Sequence, residues 1–339
     1  IANAINSGSP ETYVCALPVA SDASTSALQI SALLVRDRES AYLTNCVDKV
    51  EGGTEKPRDL YTAVASVLTG HLRSMAAQPA GAVDDESREM AKAWLAFWGL
   101  QSADGNCPRS TVKTVTMTAG AYGSTWYRAQ KTLWQAYIDQ CSERGGLSDD
   151  DTPFKGDLKP QAACTFLTNA LWDVALPKVV PGSGQIRDWV YAVTDQLSDI
   201  NQQLSFVNPL SGFRVTQRYF KSEEIKVRLA LMGERRVQIR TTQSIPDTVD
   251  RKAARQGSSP QLIHSLDAAL LAHILVTLRE AGIKSVAACH DSVSVTPNHV
   301  ETFRQVARHV TAELFSTDVL GVIKASIEAE HDITLPDPP

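Results

Sequence analysis

A chain of 339 residues, 43% hydrophobic and 21% charged, holds enough apolar material for a sizeable packed core and has the composition of a globular protein rather than a disordered one. Its formal net charge of −5 excludes a surface that grips nucleic acid everywhere, so any anion-binding region has to be local. No apolar run reads as long enough to span a bilayer, and the six cysteines are scattered without a Cys-x-x-Cys or a Cys/His cluster at zinc spacing, which reads as reduced thiols.

The chain opens on Ile, with no charged segment ahead of an apolar one, so no signal peptide is read and the start looks truncated. An apolar run over 13–20 ends at Asp22, and a helical pattern through Leu28, Ala32, Leu33 and Val35 follows. Asp22 therefore stands at a strand-to-helix junction, where an N-cap is its ordinary role. Helices are expected over 42–50 and 59–75, separated by the Gly-rich break at 52–57, and again over 87–100 after a surface loop at 76–86. In the last of these, Trp94, Phe97 and Trp98 read as core rather than as a platform for stacked bases. Pro108 suits a first helical turn and puts Arg109 and Lys113 four apart on one face, which by itself is compatible with a solvated basic surface. Helical patterns continue over 124–142, 160–174 and 185–205, with an acidic loop at 145–160 and breaks at Pro177 and at 181–184.

From Phe206 onward the character shifts toward strands, with short alternating runs at 213–219 and 235–242, before an Ala/Leu-rich helix over 260–281. Basic residues outnumber acidic ones between Arg214 and Arg255, which fits either a nucleic-acid channel or a solvated face. The stretch 285–295 then reads as a hairpin, with His290-Asp291-Ser292 between Val/Ala-rich runs, and helices over 298–315 and 319–329 close the chain. Turn chemistry alone accounts for an Asp at such a place. Two strand-end carboxylates on neighbouring strands make a different object, a site for two hard divalent cations about 4 Å apart that performs phosphoryl chemistry.

Three of these stretches, in order, carry a resemblance. Asp22 with its Ser-Thr-Ser-Ala-Leu-Gln tail, Arg109…Lys113…Tyr122-Gly123, and His290-Asp291-Ser292 resemble motifs A, B and C of the single-subunit RNA polymerases of phages and mitochondria. Weaker matches at Asp59-Leu60-Tyr61, at 206–213, at Arg235-Arg236-Val237-Gln238 and at 262–268 extend it over nearly the whole chain. The resemblance implies an α+β fold: a right-hand polymerase palm built on a small antiparallel sheet, with a large, mostly helical fingers subdomain. Palm would span 1–40 with motif A and 206–339 with motif C, and fingers 41–205 with motif B. It further implies two Mg²⁺ ions held by Asp22 and Asp291 with the Ala23 carbonyl, a triphosphate held by Arg109 and Lys113, with Lys113 protonating the departing pyrophosphate, and Tyr122 at the insertion site. Gly123, Ser124, His264 and His290 would touch nucleic acid.

Family members that make DNA carry a bulky Glu five positions after the motif A aspartate, His-Asp-Glu in motif C and Gln at the position of His264. Here those positions are Ala27, His290-Asp291-Ser292 and His264, so ribonucleotides are the expected substrates and a DNA template and nascent RNA the expected partners. A DNA polymerase fragment and a noncatalytic binding subunit are the alternatives. Three departures stand out: Thr114 where a second basic residue usually follows the motif B lysine, one extra residue between Lys113 and Tyr122 that Gly120 would absorb as a bulge or an early helix end, and Ala23 in place of Gly. The N-terminal domain, the thumb and an Asp/Thr-x-x-Gly-Arg segment that precede motif A in the family are not in this sequence. The expectation is a catalytic chain of a split, two-polypeptide phage enzyme, working in the cytoplasm of an infected bacterium rather than in a mitochondrial matrix.

Overall fold

The computed structural model describes residues 6, 17–47, 56–79, 81–82, 84–100, 105–143, 153–154, 158–230 and 236–339. Half of the run at 13–20, much of the loops at 52–57 and 145–160, Cys15 and Arg235 lie outside the described residues. Strand β1 (Val19–Ser21) leads into α1 (Ser26–Leu34) and α2 (Arg38–Leu43). There follow α3 (Leu60–Ala76), α4 (Asp85–Gly99), α5 (Arg109–Val115) running into a π-helical turn (Thr116–Ala121), and α6 (Trp126–Ser142). Next come α7 (Pro160–Ala170), a second π-turn (Leu171–Ala175), α8 (Leu176–Val179) and α9 (Pro181–Asp199). Strands β2 (Ser205–Val207), β3 (Arg214–Thr216), β4 (Phe220–Ala230) and β5 (Arg236–Val249) precede the long α10 (Arg251–Glu280), and β6 (Val286–Cys289), β7 (Ser292–Val295), α11 (Val300–Leu314) and α12 (Val319–His331) complete the chain.

Asp side chains start many of these helices by accepting first-turn N–H groups, which otherwise lack partners: Asp37 for α2, Asp59 for α3, Asp84 for α4, Asp250 for α10 and Asp318 for α12. The expected helix at 42–50 is instead α2, which ends at Leu43, because Asn45 turns into the left-handed region (φ 65°) and spends its side chain elsewhere. The expected helix start at Pro260 is also corrected. α10 begins at Arg251, and Pro260 sits in its interior; in the turn before it Ser258 Oγ donates to Arg255 O (2.8 Å) and Gln217 Nε2 to Ala254 O (3.0 Å). Pro177 explains the second π-turn, since its ring cannot continue an ordinary α-helical turn.

The main core is helical. Trp94, Phe97 and Trp98 are essentially fully buried and pack with Tyr137 and Phe154, as expected for core aromatics. A second, smaller cluster (Ile274, Leu278, Ile283, Val293, Val295, Phe303, Val310) lies under the sheet β1-β7-β6. That sheet is antiparallel throughout, with Ser21 opposite Val293 and Cys289 opposite Ser292. β2 pairs with β3, and β4 with β5, where the expected strand at 235–242 is longer and has a partner rich in Lys and Glu that periodicity alone does not flag.

The expectation about apolar length is corrected by α10, which contains an 18-residue window of mean hydropathy 1.5, apolar enough by length and composition to cross a membrane. α10 packs against α1, α9 and α11.

Candidate active site

β1 ends at Ser21 and β7 begins at Ser292, and the two strands pair antiparallel, so Asp22 and Asp291 emerge from the same end of adjacent strands. Both line one cavity of about 380 Å³, which Ala23 and Ser26 also line, together with Asp267 of α10. Asp22 is not the helix cap that local pattern favours. α1 starts at Ser26 with Thr25 in the cap position, and the Thr25 hydroxyl lies 3.1 Å from Tyr61 Oη instead of capping. The loop carrying Asp22 is braced by Asn45, whose Nδ2 donates to Ser24 Oγ (2.9 Å) and to Arg58 O (3.0 Å). Across the sheet, the two-residue turn His290-Asp291 is made by His290 in the left-handed region (φ 54°), a conformation costing a non-glycine residue about 1 kcal/mol, which leaves His290 exposed.

The motif B stretch behaves as a helix with a defect. Arg109, at the first turn of α5, donates through Nε to Asp59, and its guanidinium lies 4.8 Å from the centre of the Tyr61 ring. Burial pushes the Asp59 carboxyl up, but the Arg109 hydrogen bond and charge, with the N–H groups of Thr62 and Tyr61, outweigh it and hold the carboxyl below its usual range. Arg109 therefore already has an anionic partner, while Lys113 one turn on is exposed. The extra residue after Lys113 is absorbed as the π-turn Thr116–Ala121, not as an early helix end. Tyr122 follows it and stacks on His264 of α10, ring centres 4.8 Å apart and 17° from parallel. Burial raises the Tyr122 hydroxyl, reinforced by the charges of Asp267 and Asp291 and opposed by a hydrogen bond with Ser26. Tyr122 thus neighbours Ser26, Asp267 and Asp291, three of the residues that line the carboxylate cavity.

Gly123 comes next, at φ +61°, and Tyr191 Oη donates to its carbonyl (3.3 Å). A Cβ built there would sit 3.1 Å from Tyr191 Oη. Gly123→Ala should lower the urea midpoint by the equivalent of about 1–2 kcal/mol, left-handed strain plus crowding, and an unchanged midpoint would show that the turn adapts freely.

Asp267 was not singled out from the sequence, although its place three residues after His264, one helical turn along the same face, was a usable signal. Burial raises its carboxyl, and Asp291 raises it further against a Ser26 hydrogen bond and the charges of His264 and His290. A carboxyl whose folded value exceeds its unfolded one costs stability as pH climbs from the unfolded value through the folded one. In chelator-containing buffer, Asp267→Asn should leave Tm unchanged near pH 3 and raise it at pH 7; an equal shift at both pH values would remove ionisation as the cause.

Motif environment is set by other elements too. Buried Asn208, between β2 and β3, donates to Ser265 O (2.8 Å), and His273 Nε2 meets Leu210 O (2.7 Å), so the β2–β3 hairpin pins α10 around His264. Of the basic residues between 214 and 255, Arg214, Arg240, Arg251 and Arg255 are paired with Glu330, Glu224, Asp199 and Asp195, which cuts the local excess of positive charge. Lys221, Lys226 and Arg240 stand on the exposed β4–β5 ribbon, where Lys226 lies opposite Arg240. Among the described residues Cys46, Cys107, Cys141, Cys164 and Cys289 are free thiols, and burial raises that of Cys164 to about 12.

The fold is mixed, mostly helical with small antiparallel sheets, and it brings Asp22 and Asp291 to one cavity from opposite ends of the sequence. The sequence pattern of the DNA-dependent RNA polymerase family matches residues 1–335, and the chain belongs to that family. It is 27% identical over 335 residues to DNA-directed RNA polymerase 2B, chloroplastic/mitochondrial, of Nicotiana tabacum, covering 99% of this chain and 29% of the relative. It is 27% identical to DNA-directed RNA polymerase 2A of the same plant, covering 99% of this chain and 90% of that relative. DNA-directed RNA polymerase 1, mitochondrial, of Nicotiana sylvestris is 28% identical over 341 residues, covering all of this chain and 30% of the relative. The chain thus spans about 30% of the length of two of these three. Those two bear organellar names, which overturns the expectation of an infected bacterial cytoplasm. The physical reason is that the motif residues encode a reaction shared by phage and organelle enzymes and carry no compartment signal.

Proposed function

We propose that this chain is the palm-and-fingers part of a DNA-directed RNA polymerase, extending RNA on a DNA template from ribonucleoside triphosphates. The observation that carries it is the emergence of Asp22 and Asp291 from paired strand ends into one cavity that Tyr122, stacked on His264, also approaches. Palm would comprise 1–40 and 206–339, and fingers 41–205. The remaining parts of the enzyme would come from a longer chain or a second polypeptide, in keeping with the share of the relatives' length that this chain spans.

Among the described residues no group of three or more His, Cys, Asp or Glu side chains is placed to cage an ion by itself. A carboxylate pair open to a cavity suits Mg²⁺, which keeps waters and takes substrate phosphate oxygens beside one or two carboxylates. Asp22 and Asp291, with the Ala23 carbonyl, would hold it. When bound it would supply charge stabilisation at the reacting phosphate and lower the pKa of the attacking hydroxyl. Lys113, exposed one turn beyond Arg109, would hold the triphosphate and protonate the leaving pyrophosphate, while Arg109 would join it by exchanging Asp59 for phosphate. Tyr122 and His264 would form the wall against which the incoming sugar and base rest. Position 27, which is acidic in the DNA-making relatives, is here Ala27, fully buried at the start of α1.

Extension of an RNA primer on a DNA template, with ribo- and deoxyribonucleotides compared with and without Mg²⁺, tests this. Mg²⁺-dependent incorporation favouring ribonucleotides is expected. Preference for deoxyribonucleotides would make the chain a DNA polymerase fragment, and template binding without extension a noncatalytic subunit.

A further inference from the structure

The proposed triphosphate clamp is short of positive charge. A triphosphate carries several negative charges, yet Arg109 is already paired with Asp59, and where the family has a second basic residue after Lys113 this chain has Thr114. Lys113 is thus the unpaired cation of α5.

A groove of about 720 Å³ runs along the neighbouring side of the same helix. Ser110 and Thr114 of α5, four apart on one face, line it from one side, and Arg128 and Lys131 of α6, three apart, from the other. All four residues are exposed, and among the described residues neither cation is taken into an ion pair. Because Thr114 directly follows Lys113, the groove starts about 100° round the helix from the face that carries Arg109 and Lys113. Gln140, near the end of α6, donates through Nε2 to the buried Thr111 Oγ1 at the start of α5 (2.7 Å), so the two helices run antiparallel. The first turns of α6, with Arg128 and Lys131, therefore lie toward the end of α5 that carries Thr114 and leads on to Tyr122. Asp139 also lines the groove, but it stands about 12 Å along the helix from Lys131 and accepts from Gln135 Nε2 (2.8 Å).

Two cations facing hydroxyls across a groove make an anion site, and hydrogen bonds to an ionised partner are about twice as strong as neutral ones. Packed helices lie about 8–10 Å apart axis to axis, a span within the reach of long Arg and Lys side chains. Charge absent from α5 is thereby available from the facing helix.

Resting on the polymerase function proposed above, we propose that Arg128 and Lys131 take the place of the cation missing at Thr114 and hold the terminal phosphate of the incoming ribonucleoside triphosphate in the groove between α5 and α6.

The test is fluorescence titration of mant-GTP and mant-GMP, in Mg²⁺, onto the chain bound to a primer–template whose primer ends in a 3′-deoxynucleotide, so that no bond can form. In the Arg128→Gln/Lys131→Gln variant the preference for triphosphate over monophosphate should fall about tenfold, with monophosphate affinity within about twofold of the unmodified chain. Adding Thr114→Arg to that variant should restore most of the preference, which a merely structural role for the two cations would not allow. Arg304→Gln, the same loss of charge on α11, should leave it unchanged, and Lys131→Gln alone, expected to cost about threefold, serves if the double variant folds poorly. An unchanged preference, or equal loss of tri- and monophosphate affinity without rescue, would overturn the proposal; weaker primer–template binding with the preference intact would overturn it too and give the groove to nucleic acid. Triphosphate preference that depends on these cations in a chain that never extends a primer would sink the polymerase function and not this site, whereas normal extension by an indifferent double variant would sink the site alone.

Discussion

Asp291→Asn is expected to reduce Mg²⁺-dependent primer extension at least about a thousandfold while leaving the urea midpoint within about 1 kcal/mol of the unmodified chain. Asn keeps the shape of the side chain and its hairpin turn, and removes only the charge. A thousandfold loss corresponds to about 4 kcal/mol, the scale on which a metal-held charge stabilises a transferring phosphate. The local fold should not notice, because the turn depends on His290 at φ 54° and on the Cys289–Ser292 pairing, and not on the carboxylate. Retention of even a tenth of the wild-type rate with the same metal dependence would mean that Asp291 is turn chemistry after all.

The second large effect is expected from Tyr122→Phe. The ring stack on His264 survives this change, while the hydroxyl, bonded to Ser26 and within the field of Asp267 and Asp291, is lost. If that hydroxyl senses the sugar 2′-hydroxyl, the ratio of kcat/KM for ribo- over deoxyribonucleotides should fall about 10- to 100-fold, the range of a lost hydrogen bond of about 1.4–3 kcal/mol. The ribonucleotide rate itself should change far less. A uniform drop in both rates with the ratio preserved would assign Tyr122 to packing.

Tyr61 shows how these parts are held in register. Its hydroxyl meets Thr25 beside the motif A loop, its ring carries Arg109 of motif B, and its N–H is bonded by Asp59, which also accepts from Arg109. One short stretch at the start of α3 therefore ties both motif stretches together, and under the proposed function a triphosphate at Arg109 would have to compete with a carboxylate already in place.

Local chemistry was readable from the residues alone. The hairpin at 286–295, the core aromatics of α4 and most helix spans follow from periodicity and capping, which act over a few residues and so leave their mark in sequence. The extra residue after Lys113 was visible as a spacing anomaly, but whether the helix ended or bulged depended on the walls around Gly120, where Leu28, Leu176 and Val180 lie within contact distance. What only the tertiary structure decided is long-range: Asp22 and Asp291, about 270 residues apart, reaching one cavity; Asp267 turning toward them from α10; Arg109 taken up by Asp59; Arg128 and Lys131 facing Thr114 across one groove. An Asp on an amphipathic helix looks the same whether it faces water or two other carboxylates. The difference lies in which surfaces the core brings together, and that is set by packing among residues distant in the chain.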